Sequence, residues 1–335
     1  MCGIIGYVGK QQAAPILLEG LRTLEYRGYD SAGLYVAGNE VVKAVGPIDN
    51  LAGAMPAACP GSSGIAHTRW ATHGAPTKEN AHPHTDASGH IHVVHNGIIE
   101  NYQALKERLV ATGIEFASET DTEVLAKLIG THYEGDLLAA VQAALAEVRG
   151  AYGVVVMHAD HPESVVVARL GSPIVLGVGD GEHFMASDPS ALLAHTKRVV
   201  YLDDGELAAV RADGYQVLDQ DGTQPSKTPE TVEWDVEQVK KQGYPHFMLK
   251  EIHEAPTVIE NTMRGRVIAE RGNAKLGGLE PVLNELANLH RLTIAACGSA
   301  YFAGHVGKYL LEEYGRLPVS VELASEYRYK AHVPD

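Results

Sequence analysis

Cysteine is scarce in this sequence: only Cys2, Cys59 and Cys297 occur in 335 residues. Three widely spaced cysteines argue against a disulfide framework and favour a reducing compartment. No apolar run approaches the ~18 residues that a membrane-spanning helix needs, and no basic leader precedes the first apolar stretch. These absences predict a soluble protein of the cytoplasm.

Positive charge is also in short supply. Lysine and arginine number 27 against 42 acidic residues, which gives a formal net charge of −15. A protein that binds nucleic acid needs a basic surface for the phosphates, so this composition makes that class improbable and favours a small polar metabolite as partner. The length predicts two domains, or one large domain with an appendage.

The first part of the chain alternates strand and helix patterns, and its middle is rich in β-branched runs. Residues 4–8 predict a buried strand, and apolar residues at helical spacing from Ala14 to Leu24 predict an amphipathic helix. Thr120 and Glu123 form a capping-box pattern before another helix. Three Asp-Gly pairs predict hairpin turns in an antiparallel sheet: Asp180-Gly181, Asp204-Gly205 and Asp213-Gly214.

The composition and the hydrophobic pattern of the sequence change after about residue 216. Residues 216–243 lose the apolar period and predict a docked arm or linker. A long helical pattern interrupted by Pro256 follows, and residues 291–323 then read as one strand, helix and strand of a parallel sheet. A single such unit does not complete an α/β domain, so the chain is expected to stop inside its second domain.

Cys2 is the first candidate for chemistry. Removal of Met1 would leave the Cys2 thiol beside a free α-amino group of similar proton affinity, so one residue would supply both nucleophile and base. The alternative is that Cys2 packs as a small apolar residue at the start of a strand.

Asn96 and Gly97 are candidates for stabilising an oxyanion. They offer a side-chain amide and an unobstructed backbone N–H. The alternative is an ordinary Asn-Gly turn, which is the more frequent meaning of that dipeptide.

The charged groups of an amino-acid substrate also have candidate partners. Arg69 could grip a carboxylate in two places, with Thr72 and His73 nearby, and Asp121 could accept an ammonium group. Arg69 could instead be a surface residue at a strand end, and Asp121 could do no more than stabilise the N-terminus of its helix through the helix dipole.

Two further features are candidate ligand sites. Seven histidines lie between His67 and His95, but no cysteine or carboxylate stands at matching spacing, so we predict no metal and no cofactor. Gly298 and Ser299 follow a strand and open a helix, where N–H groups suit a phosphate. An ordinary turn with Ser299 as the helix N-cap is an equally good interpretation.

Five segments, taken together and in order, carry a resemblance to a known family. The sequence closely resembles the glutaminase domain of the glutamine:fructose-6-phosphate amidotransferases in the following segments: MCGIIGYVG, LEYRGYDSAG, HTRWATHG, HNGIIENY and SETDTEV. The likeness continues through HFMLKEI and ACGSAY into ELASEYRY. Amidotransferases that act on phosphoribosyl pyrophosphate or aspartate share the opening Cys-Gly-Ile but match the rest less well.

The resemblance implies an α+β fold, the four-layer αββα sandwich of the N-terminal-nucleophile hydrolases, followed by an incomplete α/β sugar-isomerase (SIS) domain. The implied boundaries are a glutaminase domain at 1–235, a linker at 236–246 and a truncated first sugar-isomerase domain at 247–335. It also implies a homodimer when the protein is full length.

The resemblance further implies a role for each candidate. Cys2 would attack the glutamine side-chain amide, Asn96 and Gly97 would hold the oxyanion, and Arg69 and Asp121 would bind the α-carboxylate and the α-ammonium. Thr72, His73 and Trp70 would complete the substrate pocket, and Tyr29 with Trp70 would gate ammonia. Gly298 and Ser299 would contact the sugar phosphate.

The implied function is hydrolysis of glutamine to glutamate and ammonia, which a full-length enzyme would use to make glucosamine 6-phosphate from fructose 6-phosphate. Two alternatives stay open: a non-catalytic glutamine or sugar-phosphate sensor, and an amidotransferase for another acceptor. The family usually reads Cys-Gly-Thr-Ser where this chain has Cys297-Gly298-Ser299-Ala300, and the later isomerase residues are absent. Isomerisation is therefore not expected of this chain alone.

Overall fold

A computed structural model describes residues 2–71, 74–219, 221–233, 243–264, 266–268, 272–274, 279 and 282–331. The chain divides into two compact units, Met1–Lys250 and Glu251–Asp335. The sequence-based linker at 236–246 lies mostly outside the described residues, so the domain boundaries given above stay a prediction. None of the described helices is long and apolar enough to cross a membrane.

The first unit contains two antiparallel sheets. The larger has eight strands in the order β14-β11-β9-β10-β1-β4-β2-β3. Its strands are β1 (Gly3–Val8), β2 (Ser31–Val36), β3 (Val42–Val45), β4 (Ser63–Arg69), β9 (Val175–Val178), β10 (His183–Ala186), β11 (Arg198–Tyr201) and β14 (Glu230–Thr231).

The second sheet has six strands in the order β13-β12-β8-β7-β6-β5. Its strands are β5 (His84–Thr85), β6 (Ile91–Ile99), β7 (Gly150–His158), β8 (Ser164–Leu170), β12 (Leu207–Arg211) and β13 (Gly214–Leu218). Runs of valine in β7 and β8 are buried on both faces, which is why they lack polar alternation.

Helices cover the outer faces of both sheets. The first sheet carries α1 (Ala13–Leu24) and α2 (Ile48–Ala54), and the second carries α3 (Tyr102–Ala111), α4 (Asp121–His132) and α5 (Leu137–Glu147). Strand β1 shows the layering: Ile4 and Val8 belong to the core between the sheets, whereas Ile5 and Tyr7 pack in the core shared with α1. The order of layers is helix, sheet, sheet, helix, as the resemblance implied.

The Asp-Gly pairs do not all form hairpin turns. Asp180-Gly181 joins the paired strands β9 and β10, as predicted. Asp204-Gly205 instead lies between β11 and β12, which belong to different sheets. In the third case Arg211 pairs with Gly214, so the turn falls on residues 212–213, one position earlier than predicted.

The arm predicted at 216–243 is partly sheet. Residues 216–218 finish β13, and β14 pairs with β11 at the edge of the first sheet. The short β14 buries little apolar surface, which is why no hydrophobic period marks it.

The N-terminus of α4 is capped as predicted, but the reciprocal half of the capping box does not form. The Thr120 hydroxyl accepts the Glu123 N–H. The Glu123 carboxylate reaches further back, to the N–H groups of Ala117 and Ser118 at 2.9 and 2.6 Å. These bonds hold the chain entering α4 in place, next to the candidate site.

The second unit contains the predicted strand, helix and strand. Strands β17 (Leu292–Ala296) and β18 (Val319–Leu323) pair in parallel, with α8 (Gly298–Tyr314) between them in sequence. The other elements described after residue 246 are α6 (Phe247–Met263), which continues through Pro256, the two-residue strands β15 (Val267–Ile268) and β16 (Asn273–Ala274), and the short helices α7 (Leu283–Leu286) and α9 (Ala324–Tyr327).

Candidate active site

Four chain segments bring the candidate residues together. Antiparallel pairing of β1 with β4 sets Gly3 opposite Thr68, so Cys2 lies at the end of β4 that carries Arg69. Strand β6 of the second sheet contributes Asn96, and α4 contributes Asp121 at its N-terminus. The site therefore lies where one end of both sheets meets a helix N-terminus.

The Cys2 thiol is half-buried and held by the backbone of Trp70. The Trp70 N–H donates to Cys2 Sγ at 3.2 Å. Burial raises the pKa of the Cys2 thiol above its usual value, and the Trp70 N–H with the positive charges of Arg69 and Arg27 opposes that rise. The net shift is upward, so the resting thiol is protonated and needs a base to take its proton during the reaction.

Asn96 places an amide donor next to Cys2. Its Nδ2 donates to the Cys2 carbonyl oxygen at 3.1 Å. Gly97, the next residue, has a φ of +126°, and a Cβ there would lie 2.0 Å from the Ala151 oxygen. Only glycine fits this position, because both the backbone conformation and the space exclude a side chain.

The candidate residues line one small cavity. Its wall is formed by Cys2, Arg69, Trp70, His82, His95, Gly97, Thr120, Asp121 and Thr122. Most of the predicted catalytic and binding residues described by the structure therefore share one space.

The two charged residues of this wall are held by backbone bonds. Arg69 is buried, and its Nη1 and Nη2 donate to the carbonyls of Ala75 and Gly74 at 3.2 and 3.3 Å. Asp121 Oδ2 accepts the Ile99 N–H at 2.9 Å. These bonds orient a cation and an anion around one cavity, an arrangement suited to a zwitterionic amino acid.

Two aromatic side chains lie at the edge of the site. The Tyr29 and Trp70 rings meet edge to face with centroids 6.0 Å apart, and each side chain is about half exposed. Ala71, which follows Trp70, donates its N–H to Asp30 Oδ2 at 2.9 Å. That bond ties the segment after β4 to the segment that carries Tyr29.

The other predicted residues are placed differently. Thr72 and His73 lie outside the described residues. Gly298 has a φ of +59° and opens α8 in the second unit, and the N-cap position belongs to Cys297. Ser299 as N-cap, one of the two interpretations offered above, is therefore wrong.

Sequence reasoning considered the histidines of this region only as metal ligands and gave the buried ones no role at the site. His67, His82 and His95 are all buried, and the His67 and His82 rings stack with centroids 4.1 Å apart. Burial lowers the pKa of His67 to about 3 and holds that of His82 well below its usual value. The available signal was position: His67 and His95 stand two residues before Arg69 and one before Asn96.

Acid should destabilise the first unit through its buried histidines. Burial lowers the pKa of His67 to about 3, that of His92 to about 4, and those of His82 and His84 well below 6.5. Only the unfolded chain binds these protons near pH 5, so the stability they confer is complete above pH ~6.5 and decreases as the pH falls.

We expect unfolding at pH 5 to take up ~4 protons through these histidines, measured by calorimetry in buffers of different ionisation enthalpy. His92→Gln should lower the uptake by about one proton. Uptake below one proton in the parent chain would mean that these histidines are charged in the folded state.

One group of potential metal ligands occurs among the described residues. His90, His158 and Asp160 place ligand atoms within 4.8 Å of one another. Asp160 already donates its N–H to His158 Nδ1 at 3.2 Å. Ile91 pairs with His158 at the start of β6, so this group lies at the opposite end of that strand from Asn96.

The sandwich and its site define a class. Two stacked antiparallel sheets between helical layers are the fold of the N-terminal-nucleophile amidotransferases. A glutamine amidotransferase domain model matches residues 55–232, and an SIS domain model matches residues 285–334. The chain belongs to the glutamine amidotransferase family.

Relatives and solved structures agree with this assignment. Proteins named glutamine–fructose-6-phosphate aminotransferase (isomerizing) from Thermus thermophilus and Chlorobaculum tepidum are 52% and 48% identical, over 100% and 98% of this chain. The chain spans 55% of the length of each.

Among solved structures, the allosteric regulatory enzyme of purine biosynthesis is similar to this chain with a TM-score of 0.56 at 27% identity. The match covers 65% of this chain and 49% of that enzyme. The glutamine phosphoribosylpyrophosphate amidotransferase of B. subtilis has a TM-score of 0.58 at 20% identity, covers 96% of this chain and 65% of its own, and supports the fold alone.

Proposed function

We propose that this chain hydrolyses the side-chain amide of glutamine to glutamate and ammonia, with Cys2 as the nucleophile. The observation that carries the proposal is that a half-buried thiol lines a cavity with Arg69 and Asp121, and that an amide donor is bonded to the backbone of the same cysteine. The Trp70 N–H lies 3.2 Å from Cys2 Sγ, and Asn96 Nδ2 lies 3.1 Å from the Cys2 carbonyl.

The reaction follows from the groups at hand. Once Met1 has been removed, the α-amine of Cys2 takes the thiol proton while Sγ bonds to the amide carbon, and Asn96 Nδ2 with the Gly97 N–H stabilises the oxyanion. The amine then gives its proton to the leaving nitrogen, the C–N bond breaks, and ammonia departs. Water attacks the γ-glutamyl thioester, which releases glutamate and restores the thiol.

Arg69 and Asp121 give the site its preference for an α-amino acid. The Arg69 guanidinium would bind the α-carboxylate and Asp121 the α-ammonium, with Thr72, His73 and Trp70 completing the pocket. Both charged residues are anchored by backbone bonds, so their orientation precedes substrate binding.

Arg69→Lys should therefore weaken glutamine binding more than it slows the chemical step. A lysine keeps the charge but loses the planar fork, and a hydrogen bond to a charged group is worth about 1.5–3 kcal/mol. We expect KM for glutamine to rise ~10- to 100-fold while kcat changes little, measured by steady-state ammonia release. Arg22→Lys, on the exposed face of α1, is the control. A lower kcat at unchanged KM would contradict the assignment.

Ammonia produced here would serve a sugar acceptor. Two observations support this: the curated relatives carry fructose 6-phosphate in their names, and an SIS domain model matches residues 285–334. We assign Tyr29 and Trp70 to gating ammonia and Gly298 and Ser299 to the sugar phosphate. A full-length protein would act as a homodimer in the cytoplasm.

The test is ammonia and glutamate release from glutamine by this chain, with and without fructose 6-phosphate. The proposal requires that ammonia and glutamate are released in equal amounts. It also requires that this release depends on a free α-amine at Cys2. A protein that binds glutamine without releasing ammonia would be a sensor, and a longer chain whose release responds to another acceptor but not to fructose 6-phosphate would be a different amidotransferase.

A further inference from the structure

His67 occupies a fully buried position between the two sheets. It lies on β4, two residues after Ile65, which belongs to the core between the sheets, and two residues before Arg69. Alternation along the strand therefore points all three side chains toward the second sheet. The mechanism above gives His67 no role, although a buried imidazole is costly to place without one.

The contacts of His67 determine which nitrogen carries its proton. Nε2 lies 3.0 Å from Asn96 Oδ1 and 3.1 Å from the His95 carbonyl oxygen. Both oxygens only accept hydrogen bonds, so Nε2 must be the donor. Because burial lowers the pKa of His67 to about 3, the ring at neutral pH has a single proton, and that proton is at Nε2.

The same contacts determine how the Asn96 amide is turned. Its oxygen faces the His67 N–H, and its nitrogen faces the Cys2 carbonyl at 3.1 Å. A rotation of the amide by half a turn would set Oδ1 against the Cys2 carbonyl and Nδ2 against the His67 proton. Both new contacts would repel, so His67 and Cys2 hold the amide from opposite ends.

We propose that His67 is a positioning residue that keeps the donor end of the Asn96 amide directed at the reacting carbonyl. The inference rests on the proposed glutaminase function. During turnover the amide must move its bond from the Cys2 carbonyl to the oxyanion, and at that moment His67 supplies the remaining restraint. A donor that is already oriented stabilises the transition state without reorganising.

Three variants test this role. His67→Leu removes the donor and should lower kcat ~10- to 100-fold, within the range for losing one oxyanion donor, with little change in KM. His67→Gln places an amide N–H at the same number of bonds from the backbone and should recover most of that loss. His92→Gln, a change at an equally buried histidine of β6 that stacks on Tyr35, should leave kcat unchanged.

A double-mutant cycle separates positioning from general damage. In an Asn96→Ala background, His67→Leu should change kcat less than about threefold, because the group through which it acts has gone. An equal fold-loss with and without Asn96 would overturn the proposal.

A measurement without turnover keeps the inference testable if His67→Leu fails to fold. Histidine ¹⁵N spectra of the parent chain should show His67 neutral and protonated at Nε2 from pH 8 to 5. A proton at Nδ1, or a cationic ring at pH 6, would refute the positioning role and leave the glutaminase proposal standing. Absence of ammonia release from the parent chain, with the expected tautomer present, would instead refute the glutaminase proposal.

Discussion

Cys2→Ala should abolish ammonia release from glutamine, with a fall in kcat of about 10⁴-fold or more, because the covalent route requires the sulfur. The terminal amine and the binding groups remain in this variant, but without the sulfur no γ-glutamyl thioester can form. Ammonia release in a coupled assay measures the loss. Glutamine binding should persist, because the Arg69 and Asp121 contacts are untouched, and calorimetric titration measures that part.

Cys59→Ala is the matched control for this change. Cys59 is half-buried like Cys2, but it lies on a surface groove lined by α1 and by the segment that follows α2. Its loss should leave kcat and KM as in the parent chain. Full activity in Cys2→Ala, or an equal loss in Cys59→Ala, would remove Cys2 from the mechanism.

Asn96→Ala should have the second largest effect. Loss of one oxyanion donor typically costs 10²- to 10³-fold in kcat, and we expect a fall of that size with KM nearly unchanged. The charge on oxygen develops only in the transition state, so binding of the neutral amide loses little. Steady-state kinetics with glutamine separate the two constants.

Asn96→Asp makes the interpretation sharper. A carboxylate fills the same space but offers no donor, and its charge would repel the oxyanion, so its kcat should be no higher than that of Asn96→Ala. Asn50→Ala, at an exposed position of α2, is the control, because the Asn50 amide donates to the Val45 carbonyl, far in sequence from the candidate residues. Full turnover in Asn96→Asp would rule out a donor role.

Local patterns predicted the elements that depend on neighbours in sequence. The apolar period of residues 14–24 predicted α1 because Leu17, Leu21 and Leu24 are fully buried on one face. The strand, helix and strand of residues 292–323 were also predicted, because each of these elements has a local sequence pattern of its own. The sandwich itself came from the resemblance and not from these patterns.

Features that depend on pairing between distant segments were predicted poorly. Asp204-Gly205 has the local signature of a hairpin, but its flanking strands pair in different sheets, and no local pattern encodes that choice. Glu123 reaches Ala117 and Ser118 because the chain folds back before α4. His67 was missed because its partner is 29 positions away in sequence and contacts it only across the two sheets.

The central claim is that the sulfur of Cys2 carries the γ-glutamyl group while the neighbouring amine moves the proton. The most direct measurement is mass spectrometry of the N-terminal peptide after rapid acid quenching of a reaction with glutamine. The account predicts a chain that begins at Cys2, with a γ-glutamyl group in thioester linkage to that sulfur. Normal turnover by chains that retain Met1, or an acyl group on any other residue, would contradict it.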